Sequence, residues 1–153
     1  MRLRHVLSIK ARPGELFTIA AGSSARDMAM LMADRDIGAV VVVAETGSDE
    51  VVGIATERDI LRTCCRSGRT LDDLSVADVM RREVVYGQPD ELVLDALRKM
   101  SKRSIRYLPV REDGKLIGMV SIGDVLRALY DEDEIHLRRL GEYMAGTYRL
   151  DVY

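Results

Sequence analysis

The apolar positions of this chain fall into two series that repeat one another. A short β-prone run, Leu16-Phe-Thr-Ile19, leads through Ala20-Ala-Gly-Ser-Ser24, whose hydroxyls suit a helix N-cap, into Ala25, Met28, Ala29, Leu31 and Met32 at helical spacing. The same order returns as Val84-Val-Tyr86, then Gln88-Pro-Asp90, then Val93, Ala96, Leu97 and Met100. Met28 matches Ala96 and Met32 matches Met100 at a constant offset of 68, so this part aligns without a gap. The chain turns polar at Ala33-Asp-Arg-Asp36 and Ser101-Lys-Arg-Ser104, which predicts that both helices break after Met32 and Met100.

Ile37-Gly-Ala-Val-Val-Val-Val43 then reads as a strand covered on both faces. Its counterpart Ile105-Arg-Tyr-Leu-Pro-Val110 contains Pro109, which lacks a ladder donor and so belongs at an edge or a strand end. Val51-Val-Gly-Ile-Ala55 and Leu116-Ile-Gly-Met-Val120 close the series, the second reached through the hairpin signal Asp113-Gly114. Each series thus predicts strand, helix, strand, strand, helix. Short apolar lead-ins, helices or turns, precede both: Leu3, Val6 and Leu7, and later Val76, Val79 and Met80. The methionines at 28, 30 and 32 fit core packing or an adaptable binding surface.

The strongest repetition lies at the last strand-to-helix junctions. Gly53-Ile-Ala-Thr-Glu-Arg-Asp-Ile-Leu61 returns as Gly118-Met-Val-Ser-Ile-Gly-Asp-Val-Leu126. Each carries a hydroxyl (Thr56, Ser121) and, three residues on, an aspartate (Asp59, Asp124). This spacing is that of a capping box, in which the hydroxyl accepts from the third amide and the acid reaches back to the cap amide. It also puts a carboxylate, an acceptor-only group suited to a ribose diol, beside a helix amino terminus, where phosphate is stabilised. Capping and ligand contact are compatible.

Composition narrows the possibilities. The 153 residues are 47% hydrophobic and 31% charged, enough for one compact globular fold, and no apolar run approaches the roughly 20 residues of a membrane span. A net charge of −2 with intermixed signs argues against a nucleic-acid binder. Arg2 and Arg4 are not followed by the apolar stretch of a secretory signal, so a cytoplasmic location is expected. Cys64 and Cys65 are adjacent, which suits two reduced thiols or a redox role but not a zinc site. His5 and His136 lack ligand-spaced partners. No nucleophile–base pair, metal-ligand spacing or GxxxxGK phosphate loop marks an enzyme.

With its doubled Gly-apolar-x-[Ser/Thr]-x-x-Asp motif and Leu108-Pro-Val110, the chain resembles a tandem pair of CBS domains, over about residues 3–130. The resemblance implies an α+β fold of two repeats, each roughly β-α-β-β-α, packed about a pseudo-twofold axis. Residues 1–68 would form the first repeat with its lead-in, 69–131 the second, and 132–153 a C-terminal helix or tail. It implies a regulatory, non-catalytic module whose clefts bind an adenosine-containing ligand such as AMP, ADP, ATP, NAD(H) or S-adenosylmethionine, or an interaction scaffold with empty clefts.

Carried over residue by residue, the resemblance has Asp59 and Asp124 accepting from ribose hydroxyls and Thr56 and Ser121 contacting phosphate. Thr18 and Tyr86 would border the adenosine. Arg106, beside Tyr107 and Pro109, and Arg58 are candidate phosphate ligands, although Arg106 also reads as a solvated arginine and Tyr107 as a packing residue. Gly38 and Ala39 replace Arg106 and Tyr107 in the first repeat, so the two clefts differ. The tail, with Leu137, Leu140 and Met144 on one helical face and Tyr143-Met-Ala-Gly-Thr-Tyr148, resembles that of small stand-alone CBS pairs. It would pack on its own domain or across a homodimer. A regulated partner protein is implied without being identified.

Overall fold

The computed structural model describes residues 1–10 and 15–148, with the backbone alone at 136, 137 and 139–148. Leu137, Leu140 and Met144, the side chains of the Tyr143–Tyr148 stretch and His136 lie outside the described side chains. Eleven elements follow in order among the described residues: α1 (Leu3–Ile9), β1 (Thr18–Ala20), α2 (Ala25–Arg35), β2 (Ala39–Val43), β3 (Val51–Thr56), α3 (Glu57–Ser67), α4 (Val76–Val79), α5 (Val93–Lys102), β4 (Tyr107–Glu112), β5 (Lys115–Ser121) and α6 (Ile122–Tyr148). This is an α+β fold of two repeats. The C-terminal tail is not a separate element, because α6 runs unbroken from the second repeat into it.

In the first repeat β1 pairs parallel with β2, and β2 antiparallel with β3. All five side chains of β2 are buried, as its unbroken apolar run requires. In the second repeat β4 pairs antiparallel with β5 through a turn in which Asp113 and Gly114 both adopt positive φ (49° and 80°), the conformation a two-residue hairpin demands.

Two expectations are corrected. The predicted strand at Val84–Tyr86 does not form; only an isolated parallel bridge joins Gly87 to Val110. In the first repeat the Val41 N–H donates to the Phe17 carbonyl (3.3 Å) and the Ala21 N–H to the Val43 carbonyl (2.9 Å). At the offset of 68 the corresponding donors are Pro109 and Pro89, which have no N–H. The bonds from Gly87 to Pro109 (2.8 Å) and from Arg111 to Gly87 (3.0 Å) survive. Pro109 therefore sits inside β4, its nitrogen turned away from β5.

The helices also continue past Met32 and Met100, to Arg35 and Lys102, since exposed polar residues extend a helix on its solvent face. Their ends come where Asp36 (φ 51°) and Ser104 (φ 52°) adopt the left-handed conformation. The Ile37 N–H then returns to the Met32 carbonyl (3.0 Å) and that of Ile105 to Met100 (2.9 Å), closing both termini alike.

The lead-ins are exchanged between repeats. Leu3 and Val6 of α1 join Val93, Ala96, Met100, Leu108 and Val120 in the second repeat's core. Leu74, Val76 and Val79, around α4, join Ala25, Met28, Val40 and Ala55 in the first. Matching backbone bonds fix both: Leu3 N–H to Glu91 (3.0 Å) with Val76 N–H to Ser23 (2.8 Å), and Arg4 N–H to Pro89 (2.8 Å) with Ala77 N–H to Ala21 (3.0 Å). The chain-order boundary near residue 68 therefore does not separate two packing units. Gly53 and Gly118 make the exchange possible, for a Cβ at Gly53 would strike Met80 Sδ and the Arg81 carbonyl, and one at Gly118 would strike Leu7.

Candidate functional site

The exchanged packing leaves two clefts between the repeats, and each draws its walls from both. The larger, about 710 Å³, lies between the start of α3 (Thr56, Arg58, Asp59, Arg62), the Arg81–Glu83 stretch with Val85, and the approach to β4 (Arg103 to Tyr107, and Pro109). The smaller, about 430 Å³, lies between the start of α6 (Ser121, Asp124, Arg127), Lys10 with Glu15, Leu16 and Phe17, and Asp36 to Ala39. Their volumes fall within the usual range for small-molecule sites, about 300–1,000 Å³.

Both repeated motifs cap their helices. Thr56 Oγ1 accepts from the Asp59 amide (3.2 Å), while Asp59 Oδ2 accepts from the Thr56 amide (3.0 Å) and its hydroxyl (2.9 Å). In the second repeat Ser121 Oγ accepts from the Asp124 amide (3.1 Å) and Asp124 Oδ2 from the Ser121 amide (2.8 Å). The carboxylates differ in what remains. Asp59 is buried and its other oxygen, Oδ1, accepts from Arg81 Nε at 2.9 Å. Asp124 is one-fifth exposed and faces Lys10 Nζ at 3.6 Å. In each cleft, then, a cation near the opposite lead-in meets the motif's acid.

The larger cleft thus gathers Thr56, Arg58, Asp59, Arg106, Tyr107 and Pro109, and the smaller Ser121 and Asp124, with Tyr107 again on its wall. Arg106, which the sequence alone does not assign to a cleft, lies on the larger. Thr18 and Tyr86 line neither. Side chains alternate between faces in extended chain, and it is the preceding residues, Phe17 and Val85, that face the clefts. Thr18 is exposed on β1, and the Tyr86 ring lies under the Arg111 guanidinium, 4.3 Å from its centroid.

Tyr107 forms part of the partition between the clefts. Its hydroxyl lies over Gly38, where a Cβ would collide with it. The glycine that replaces the basic residue in the first repeat is therefore the space that admits the second repeat's tyrosine. Partial burial, reinforced by Glu57, pushes the Tyr107 hydroxyl above its usual pKa, so it remains a hydrogen-bond donor.

Sequence reasoning missed Arg62, Arg81, Arg82 and Arg103 on the larger cleft. Arg62 stands one helical turn after Arg58, a readable signal. Arg81 and Arg82 follow the lead-in, and nothing local reveals that this segment crosses to the first repeat. Among the described residues no His, Cys, Asp and Glu cluster is arranged to hold a metal ion, and no helix is long and apolar enough to cross a membrane. Both cysteines are free thiols, Cys65 exposed and Cys64 half-buried.

The CBS domain model matches residues 9–65 and 76–131, so the chain belongs to the CBS domain family. It is 36% identical over 141 residues to the mitochondrial CBS domain-containing protein CBSX3 of Arabidopsis thaliana, covering 91% of this chain and 68% of that one. Among solved structures it is similar to a CBS-domain containing protein, ATU1752, from Agrobacterium tumefaciens, at 32% identity and a TM-score of 0.75 over 83% of this chain and 92% of that one. It is also similar to the CBS domain protein PAE2072 from Pyrobaculum aerophilum, complexed with AMP, at 25% identity and a TM-score of 0.69 over 81% of this chain and 89% of that one.

Proposed function

We propose that this chain is a cytoplasmic, non-catalytic regulatory module that binds an adenosine-containing nucleotide, from among AMP, ADP, ATP and NAD(H), in the larger cleft and signals its presence to a partner protein. The observation that carries this reading is the convergence there of the first repeat's Thr56–Asp59 junction with Arg106, Tyr107 and Pro109 of the second. A helix amino terminus and guanidinium groups favour phosphate, and the AMP complex of the similar protein PAE2072 supports the ligand class. Asp59 meets a ribose diol only by sharing its Oδ1 with Arg81, so ligand entry bears directly on a contact between the first repeat's motif and the segment leading into the second.

Regulation follows from differential affinity. A ligand that contacts both repeats shifts the balance of their arrangements only by the difference in its affinity for each. Exposed Leu126, Tyr130 and Ile135 on α6 supply apolar surface for a homodimer. The test is thermal unfolding of the chain with AMP, ADP, ATP, NAD, NADH and S-adenosylmethionine. At 100 times its dissociation constant a ligand adds about 2.7 kcal/mol, a shift of several degrees. The shift disappears in Arg106→Gln and persists in Arg127→Gln, which lines the other cleft. A folded chain that shifts with none of them is a scaffold with empty clefts.

A further inference from the structure

We infer that the larger cleft selects its nucleotide by phosphate number, taking a nucleoside triphosphate or diphosphate in preference to a monophosphate; this rests on the adenosine reading above. Six arginines line it, Arg58, Arg62, Arg81, Arg82, Arg103 and Arg106, against three carboxylates, Glu57, Asp59 and Glu83, a net charge of +3. Arg81 is held by Asp59 at 2.9 Å and Arg103 by Glu83 at 3.3 Å. Arg58, Arg62, Arg82 and Arg106 form no ion pair among the described residues, and Glu57 is the one remaining acid on the wall.

These four guanidinium groups come from three places: the first turns of α3, the stretch after α4, and the approach to β4. They surround the cleft rather than mark one point of it. A single phosphate, with about two negative charges, reaches one side and leaves the cleft cationic. A chain of two or three phosphates extends from the α3 amino terminus toward the other arginines and brings the bound cleft near neutrality. Guanidinium–phosphate hydrogen bonds are the strong, charge-assisted kind, and every unbound guanidinium in the cleft repels its neighbours. The smaller cleft has no such excess, since Lys10 and Arg127 stand against Glu15, Asp36 and Asp124 among its described residues.

The experiment is titration calorimetry of the full chain with adenosine, AMP, ADP, ATP and inorganic tripolyphosphate, at fixed ionic strength with divalent cations chelated. Affinity is expected to rise with phosphate number, ATP binding about ten-fold or more tightly than AMP, given one or two additional charge-assisted bonds in a partly solvated cleft. Raised salt narrows that ratio. The double variant Arg62→Gln/Arg82→Gln, both exposed positions, is expected to weaken ATP binding more than AMP binding, so that the ATP-to-AMP ratio falls toward one. Equal affinity for AMP and ATP overturns the selection, an undiminished ratio in the double variant overturns its origin in these arginines, and both leave the adenosine reading standing. Tripolyphosphate binding as tightly as ATP, with adenosine and AMP silent, overturns the adenosine reading instead. Absence of binding by every probe overturns both.

Discussion

Asp78 sits in a third cap, at the lead-in of the second repeat. Its Oδ2 accepts from the Ser75 amide at 2.9 Å, and the Asp78 amide donates to Ser75 Oγ at 3.3 Å. The backbone hydrogen bond first, and the Ser75 hydroxyl second, hold the Asp78 carboxyl below the usual range. A carboxyl whose pKa is depressed on folding contributes stability that is present above the unfolded value, about 4, and is lost as pH falls through the folded value. Asp78→Asn is therefore expected to lower the melting temperature at pH 7, with the gap to the unsubstituted chain closing on acidification below pH ~4. Melting curves from pH 7 to 3 check it; a gap that stays constant would refute the linkage. Caps of this kind are legible in sequence because partners three residues apart meet whatever the rest of the chain does. Thr56 with Asp59 and Ser121 with Asp124 were legible for that reason. The choice between Thr18 and Phe17, or Tyr86 and Val85, was not, because which face of an extended segment turns inward depends on what packs against it.

Among elements, the missing strand at Val84–Tyr86 has a chemical cause that can be reversed. Pro109→Val restores the amide that would donate to the Val85 carbonyl, as Val41 donates to Phe17 in the first repeat. Hydrogen exchange by NMR is expected to show the new amide at 109 protected by about ten-fold or more relative to an exposed one. Stability should change little: one net hydrogen bond contributes about 1 kcal/mol, while removing proline frees the unfolded chain by about 0.4–1 kcal/mol. Rapid exchange at 109 would show that other features of the segment, and not the absent donor, prevent pairing. The β-prone residues Val84, Val85 and Tyr86 spoke for a strand in sequence, and the prolines that oppose it stand on both sides of the missing pair, 20 residues apart in Pro89 and Pro109. A pattern confined to one segment cannot reveal a deficiency in its partner.

At the scale of the whole molecule, the exchanged lead-ins tie the repeats into one packing unit. Leu3 is fully buried in the second repeat's core and Val76 in the first's. Leu3→Ala is expected to cost about 2–5 kcal/mol, as buried leucine truncations do, and to destabilise both repeats together. Chemical denaturation followed by far-ultraviolet circular dichroism and by tyrosine fluorescence should give coincident single transitions in the parent and in the variant. Two separated transitions, with one repeat surviving, would show that the lead-ins do not couple the halves.

By itself the sequence determined the repeat, the order of most elements, the buried β2, the hairpin at Asp113-Gly114 and the two capped junctions. All of these arise from contacts within a few residues or from a periodicity that a side-chain pattern records directly. The tertiary structure decided the crossing of each lead-in to the other repeat, the fit of Tyr107 over Gly38, and the gathering of Arg58, Arg62, Arg81, Arg82, Arg103 and Arg106 around one cleft. These depend on segments up to about 110 residues apart meeting across the approximate twofold axis, as Leu3 meets Glu91 and Lys10 meets Asp124. A lone arginine in sequence carries no sign of which others it will face, and the charge of a cleft exists only once its walls are assembled.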